Sequence, residues 1–161
     1  MTFAATMMDY PLTLTSILER AGRQFRKVEV VSNMADKSLH RYTYADLYER
    51  SRQLAGALDA AGLKRGDRVA TMMWNNHVHL EAYFGAPCAG GVYHTLNFRL
   101  HPDDIIFIAN HADDRFAIVD EALLPLFEKI REHTGIERVF VANRSDKPLL
   151  DGYECYEAFL Q

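Results

Sequence analysis

At 161 residues and 18.4 kDa the chain is long enough for one domain with its own core, since a fold of this size buries about 70% of its unfolded surface. Its 48% hydrophobic and 25% charged residues are those of an ordinary globular protein, and no apolar run is long enough to span a bilayer. A formal net charge of −4 gives no reason to expect nucleic acid or an acidic membrane as partner.

Cys88 and Cys155 are isolated and lack C-x-x-C spacing, which suits a reducing cytoplasm rather than a disulfide framework. The stretch from Met1 to Asp9 is apolar but has no basic residue, which makes it a poor signal peptide.

Taken in order, Leu12 to Phe25 reads as a helix, with Leu14, Ile17, Leu18, Ala21 and Phe25 at helical spacing and Pro11 suited to its first turn. Val28–Met34 and Leu39–Tyr44 are extended runs joined by Ala35-Asp36-Lys37-Ser38, which predicts a hairpin. Thr43-Tyr44-Ala45-Asp46 is a capping-box variant opening a second helix. That helix carries Leu47, Leu54, Ala57, Leu58 and Ala61 on one side, and Gly62 stops it. Lys64-Arg65-Gly66-Asp67 then makes a turn.

From there strands and helices alternate: strand Arg68–Trp74, helix His77–Ala89, strand Val92–Leu96, helix Pro102–His111, strand Phe116–Val119, helix Leu123–His133 and strand Arg138–Val141. Short links between them imply parallel strands with right-handed crossovers. The expected fold is α/β: a doubly wound, mostly parallel sheet flanked by helices, preceded by an N-terminal helix and a β-hairpin. Residues 1–161 form one expected domain, with 142–161 as a tail in which Tyr153–Leu160 is a short helix. That tail reads as cut rather than finished.

Ligands of an open α/β sheet gather at the carboxyl ends of the strands. Here those ends carry Trp74-Asn75-Asn76, His94-Thr95-Leu96-Asn97, Asp120-Glu121 and Asn143-Arg144. Asn75, His94, Asn97 and Arg99 are the candidate substrate-binding residues, but helix caps and turn amides are the commoner reason for such residues at strand ends. No catalytic residue is assigned. His77 and His79 stand two apart and do not share a helix face, and zinc needs three or four ligands. Gly90-Gly91 fits a helix stop followed by a closely approaching strand, and neither a P-loop nor a dinucleotide fingerprint is present.

Five stretches in order carry a resemblance. Tyr42-Thr43-Tyr44-Ala45-Asp46-Leu47 resembles the first core motif of acyl-adenylate-forming enzymes. Gly66-Asp67-Arg68-Val69-Ala70 is similar to their next strand entry, and Ala86-Pro87-Cys88-Ala89-Gly90-Gly91-Val92-Tyr93-His94-Thr95-Leu96-Asn97 to their second core motif. With Phe98-Arg99-Leu100 and Asn110-His111-Ala112-Asp113-Asp114, residues 12–141 resemble the AMP-forming medium- and long-chain fatty-acyl-CoA synthetases.

The resemblance implies that a carboxylate attacks the α-phosphate of ATP, giving acyl-AMP and pyrophosphate, and that coenzyme A then takes the acyl group. Magnesium would neutralise the phosphates. The family's Ser/Thr/Gly-rich phosphate loop with its Lys, its adenine and ribose motifs and its C-terminal catalytic Lys have no counterpart here. The expectation is therefore the opening part of such a ligase's large N-terminal domain, inactive alone, binding no cofactor itself and inclined to homodimerise. The alternative is a non-catalytic α/β binding or dimerisation module.

Overall fold

The computed structural model describes residues 10–34, 37–142 and 148–161. Helix α1 (Leu14–Gln24) leads into a two-stranded antiparallel hairpin of β1 (Glu29–Asn33) and β2 (Leu39–Thr43). Ala35 and Asp36 of the expected turn lie outside the described residues. Pro11 does not enter the first turn, because Thr13 is still extended and α1 starts only at Leu14.

The expected apolar stripe of α1 is also only partly buried. Leu18 and Gly22 face the core while Ile17 and Phe25 are exposed. Gly22 turns the contact face, since a Cβ built there would lie 2.4 Å from Tyr48 Cβ on the next helix.

That helix, α2 (Tyr44–Ala60), opens on a complete capping box: Thr43 Oγ1 accepts from the Asp46 N–H while the Asp46 carboxylate accepts from the Thr43 N–H at 2.7 Å. A five-stranded parallel sheet follows. It comprises β3 (Arg68–Met72), β4 (Val92–Thr95), β5 (Asp114–Asp120), β6 (Arg138–Ala142) and β7 (Glu154–Cys155) in the order β4-β3-β5-β6-β7. The crossovers are α3 (His77–Cys88), α4 (Pro102–Ala112) and α5 (Leu124–Arg131), with α5 preceded by a 3-10 turn at Glu121–Leu123; α6 (Tyr156–Phe159) comes last.

Both faces of the sheet are covered, as a doubly wound fold requires. Val69, Phe116, Ile118 and Phe140 pack against Leu54, Leu58, Val78 and Ala82 of α2 and α3 and against Tyr156 of α6. Ala70, Met72, Ala117, Val119 and Val139 pack against Ile105, Ala109, Phe127 and Ile130 of α4 and α5. Central strands β3, β5 and β6 are apolar on both sides for this reason.

Two expectations change. The Val92–Leu96 strand, expected within a sheet covered by helices, is an edge strand with only β3 beside it among the described residues, and Val92 is exposed. The Tyr153–Leu160 helix is instead a two-residue strand and a single helical turn. Glu154 and Cys155 pair with Phe140 and Val141, a ladder too short to leave a period in the sequence. Gly90 and Gly91 act as expected: Gly90 has φ 88°, and a Cβ on Gly91 would lie 3.1 Å from Leu63 Cδ2 and 3.2 Å from Asp67 O.

Candidate functional site

The chain leaves β3 for β4 on one side and returns to β5 on the other, so the topological switch point lies between the carboxyl ends of β3 and β5. Asn76 and Asp120 occupy it, both buried. Asn76 Nδ2 donates to Asp120 Oδ2 at 3.0 Å, and each side chain also caps the helix that follows it. Asn76 Oδ1 accepts from the His79 N–H at 3.1 Å, and Asp120 Oδ1 accepts from the Ala122 N–H at 3.2 Å.

Beside this point a cleft of about 520 Å³ opens between the hairpin, the start of α3 and the edge strand. Val30, Val31, Leu80 and Tyr83 supply apolar wall, while Asn75, His79 and Tyr93 supply polar groups. His79 Nε2 lies 2.5 Å from Tyr93 Oη and 3.1 Å from Thr71 Oγ1, and its Nδ1 lies 3.3 Å from Asn75 Oδ1. Burial pulls the His79 pKa below its ordinary value and pushes the Tyr93 phenol up, so both are neutral near pH 7. Such a wall is chemically suited to neutral polar or apolar groups. It presents no activated nucleophile.

The four candidate residues are not gathered in one place. Asn75 lines the cleft. The His94 ring reaches under the sheet to the first residue of β5, with Nδ1 2.8 Å from Asp114 Oδ1. Burial raises the Asp114 pKa, and the hydrogen bond from His94 opposes that rise. Asn97 Oδ1 accepts from the Arg99 N–H at 3.0 Å in the loop before α4, and the Arg99 guanidinium lies 5.9 Å from the Phe98 ring centroid. Asn143 and Arg144 lie outside the described residues.

His79 and Tyr93 line the cleft without a sequence motif that marks them. Asn75 stands just before the helix cap Asn76 and four residues ahead of His79, a spacing that brings the two together where His77 and His79 stand apart. His77 instead stacks on His40 of the hairpin, with ring centroids 3.8 Å apart.

The fold is shared with solved ligases. An anthranilate CoA ligase in complex with anthranoyl-AMP superimposes with a TM-score of 0.75 at 22% identity, over 94% of this chain and 28% of that one. Coronafacic acid ligase from Pectobacterium brasiliense gives 0.79 at 18% identity, over 92% and 29%. These establish the class of fold.

Residues 18–156 match the family described as AMP-binding enzyme, and the chain belongs to that family. It is 46% identical over 158 residues to a long-chain-fatty-acid–CoA ligase of Thermus thermophilus, covering 98% of this chain and 29% of that protein. It is 37% identical over 135 residues to a medium-chain-fatty-acid–CoA ligase of Ectopseudomonas oleovorans, covering 84% of this chain and 25% of that one. The chain thus spans less than a third of the length of these relatives.

Proposed function

We propose that these residues are the opening part of the large N-terminal domain of an AMP-forming medium- or long-chain fatty-acyl-CoA ligase. The observation that carries this reading is the 46% identity to the Thermus long-chain ligase across nearly the whole chain.

In the proposed reaction a fatty-acid carboxylate oxygen attacks the α-phosphorus of ATP and pyrophosphate leaves. The thiol of coenzyme A then attacks the acyl carbonyl carbon and AMP leaves. The contribution of this chain is scaffold: the sheet fixes the switch point, and the neutral cleft with Asn75 at its rim offers a wall for an uncharged part of a substrate. His94, Asn97 and Arg99 enter the proposal as supports of the strand and loop beside that wall.

Among the described residues no group of three or more His, Cys, Asp or Glu side chains is arranged to hold a metal ion. Cytoplasmic residence and homodimerisation belong to the same proposal, supported by the free thiols of Cys88 and Cys155 and by exposed Trp74, Leu100 and Phe107.

The test is fatty-acid-dependent ATP–pyrophosphate exchange, measured on this chain alone and on the translated product of its whole reading frame. Exchange is expected only in the second. A whole-frame product that folds yet gives no exchange with fatty acids of any length would overturn the proposal.

A further inference from the structure

We propose that the end of α1 and the segment leaving it form a docking surface for anionic phospholipid membranes. The inference goes beyond the ligase reading and does not depend on it.

From Arg20 to Val28 the sequence carries Arg20, Arg23, Arg26 and Lys27 and no acidic residue, within a chain whose formal net charge is −4. Net charge concealed this segregation. In the structure Arg23, Phe25, Arg26, Lys27 and Val28 surround a shallow depression of about 490 Å³. Phe25 and Val28 are 46% and 43% exposed, and Ile17, on the outer face of α1, is 57% exposed.

The neighbouring acids do little to neutralise the patch. Glu19 makes only a loose contact with Arg23, at 3.9 Å, and Glu29 is held by Arg41 at 2.9 Å. No ion pair engages Arg20, Arg26 or Lys27 among the described residues. The Arg20 guanidinium lies 5.3 Å from the Phe25 ring centroid, which places charge and apolar surface side by side.

Cations together with exposed aromatic and aliphatic side chains match the boundary between headgroups and acyl chains. There the rings and branched side chains enter the apolar layer while Arg and Lys reach back to phosphate. A nucleic acid or an acidic peptide would satisfy the charges but leave Phe25 and Val28 uncovered. The positive charges are worth about fivefold each in partition to a negatively charged bilayer, and the attraction is screened by salt.

The experiment is co-sedimentation of the protein with phosphatidylcholine vesicles, with and without about one-third phosphatidylserine, at low and high salt. Binding is expected to require phosphatidylserine and to weaken with salt. The double variant R26Q/K27Q should lower the partition by about 25-fold. Phe25→Ser should weaken it several-fold with all charges intact. Thermal melting should match the parent for R26Q/K27Q, and for the half-buried Phe25 it separates lost binding from lost fold.

Equal binding to neutral vesicles, no binding to anionic ones, or a partition unmoved by R26Q/K27Q would overturn the proposal. So would binding to heparin comparable to that for vesicles and indifferent to Phe25→Ser, because the surface would then be a general polyanion site.

Discussion

Asn76 donates to Asp120 at 3.0 Å across the switch point of the sheet, joining the ends of β3 and β5 where an open α/β fold most readily admits a ligand. Each residue spends its other polar atom on a helix start, so the position is closed by mutual satisfaction and the open cleft lies to one side of it.

Asn76→Ala should therefore remove a cap and also take a donor from a buried carboxylate. The cap is worth about 1 kcal/mol and the charged hydrogen bond about 1.5–3 kcal/mol, so a loss of roughly 2–4 kcal/mol is expected by urea unfolding. Asn76→Asp keeps the cap acceptor but sets a second carboxylate against Asp120. It should be at least as unstable as Asn76→Ala near pH 7 and recover as pH falls. Parent-like stability of Asn76→Asp near pH 7 would show that the Asp120 contact contributes nothing.

A second buried carboxylate ties the end of the chain to its middle. Glu81 on α3 is fully buried, accepts from Arg50 Nε at 2.7 Å and from Tyr156 Oη at 2.9 Å, and Arg50 also pairs with Glu157. Tyr156→Phe should cost about 1.5–3 kcal/mol, and Arg50→Met about 3 kcal/mol, the low end for a broken buried pair because Arg50 is partly solvated.

Burial raises the Glu81 pKa above its ordinary 4.5, and the bonds from Arg50 and Tyr156 oppose that rise. A raised folded-state pKa means that the native protein holds this proton more tightly. Its contribution to stability is complete below the unfolded value and is lost as pH rises through the folded one. Glu81→Gln should accordingly flatten the fall of stability as pH rises above the ordinary carboxylate value of 4.5. An unchanged slope in denaturant titrations at several pH values would contradict this.

These networks explain what the sequence could and could not disclose. The strands β3, β5 and β6 were legible because burial on both faces demands unbroken apolar runs, and α2 was legible because its capping box is local chemistry. Strand β7 was not, since two residues carry no period and their pairing to Phe140 and Val141 is set by tertiary contact. The cleft was half legible. Asn75 stood out at a strand end, whereas His79 and Tyr93 meet only once α3 folds back beside β4. His94 stood out at a strand end, whereas its partner, Asp114, twenty residues further along the chain, meets it only in the folded sheet.

Close packing of α1 on α2 gives a prediction in which two effects oppose. Helix propensity favours Ala over Gly by about 1 kcal/mol in a helix interior. At Gly22, however, a Cβ would meet Tyr48 Cβ and Cγ at 2.4 and 2.5 Å, atoms too near the backbone to swing away. The clash should win, so Gly22→Ala destabilises by about 1–3 kcal/mol and speeds proteolysis of α1. Greater thermal stability in this variant would mean that α1 does not pack against Tyr48 as described.

The capping box at Thr43 and Asp46 gives the last prediction, and its sign is opposite to that of Glu81. Hydrogen bonds from the Thr43 hydroxyl and N–H hold the Asp46 carboxyl below its ordinary 3.8. A depressed folded-state pKa contributes stability that is complete above the unfolded value and lost as pH falls through the folded one. Asp46→Ala should cost about 1 kcal/mol near pH 7, the usual worth of such a cap, with the difference from the parent shrinking well below pH 4. Thr43→Ala removes the hydroxyl that both accepts from the Asp46 N–H and bonds its carboxylate, so it should reproduce most of the same loss. Thermal melts across acidic pH separate the outcomes. A deficit in Asp46→Ala that is equal at about pH 3 and pH 7 would mean that the carboxylate charge plays no part in starting α2.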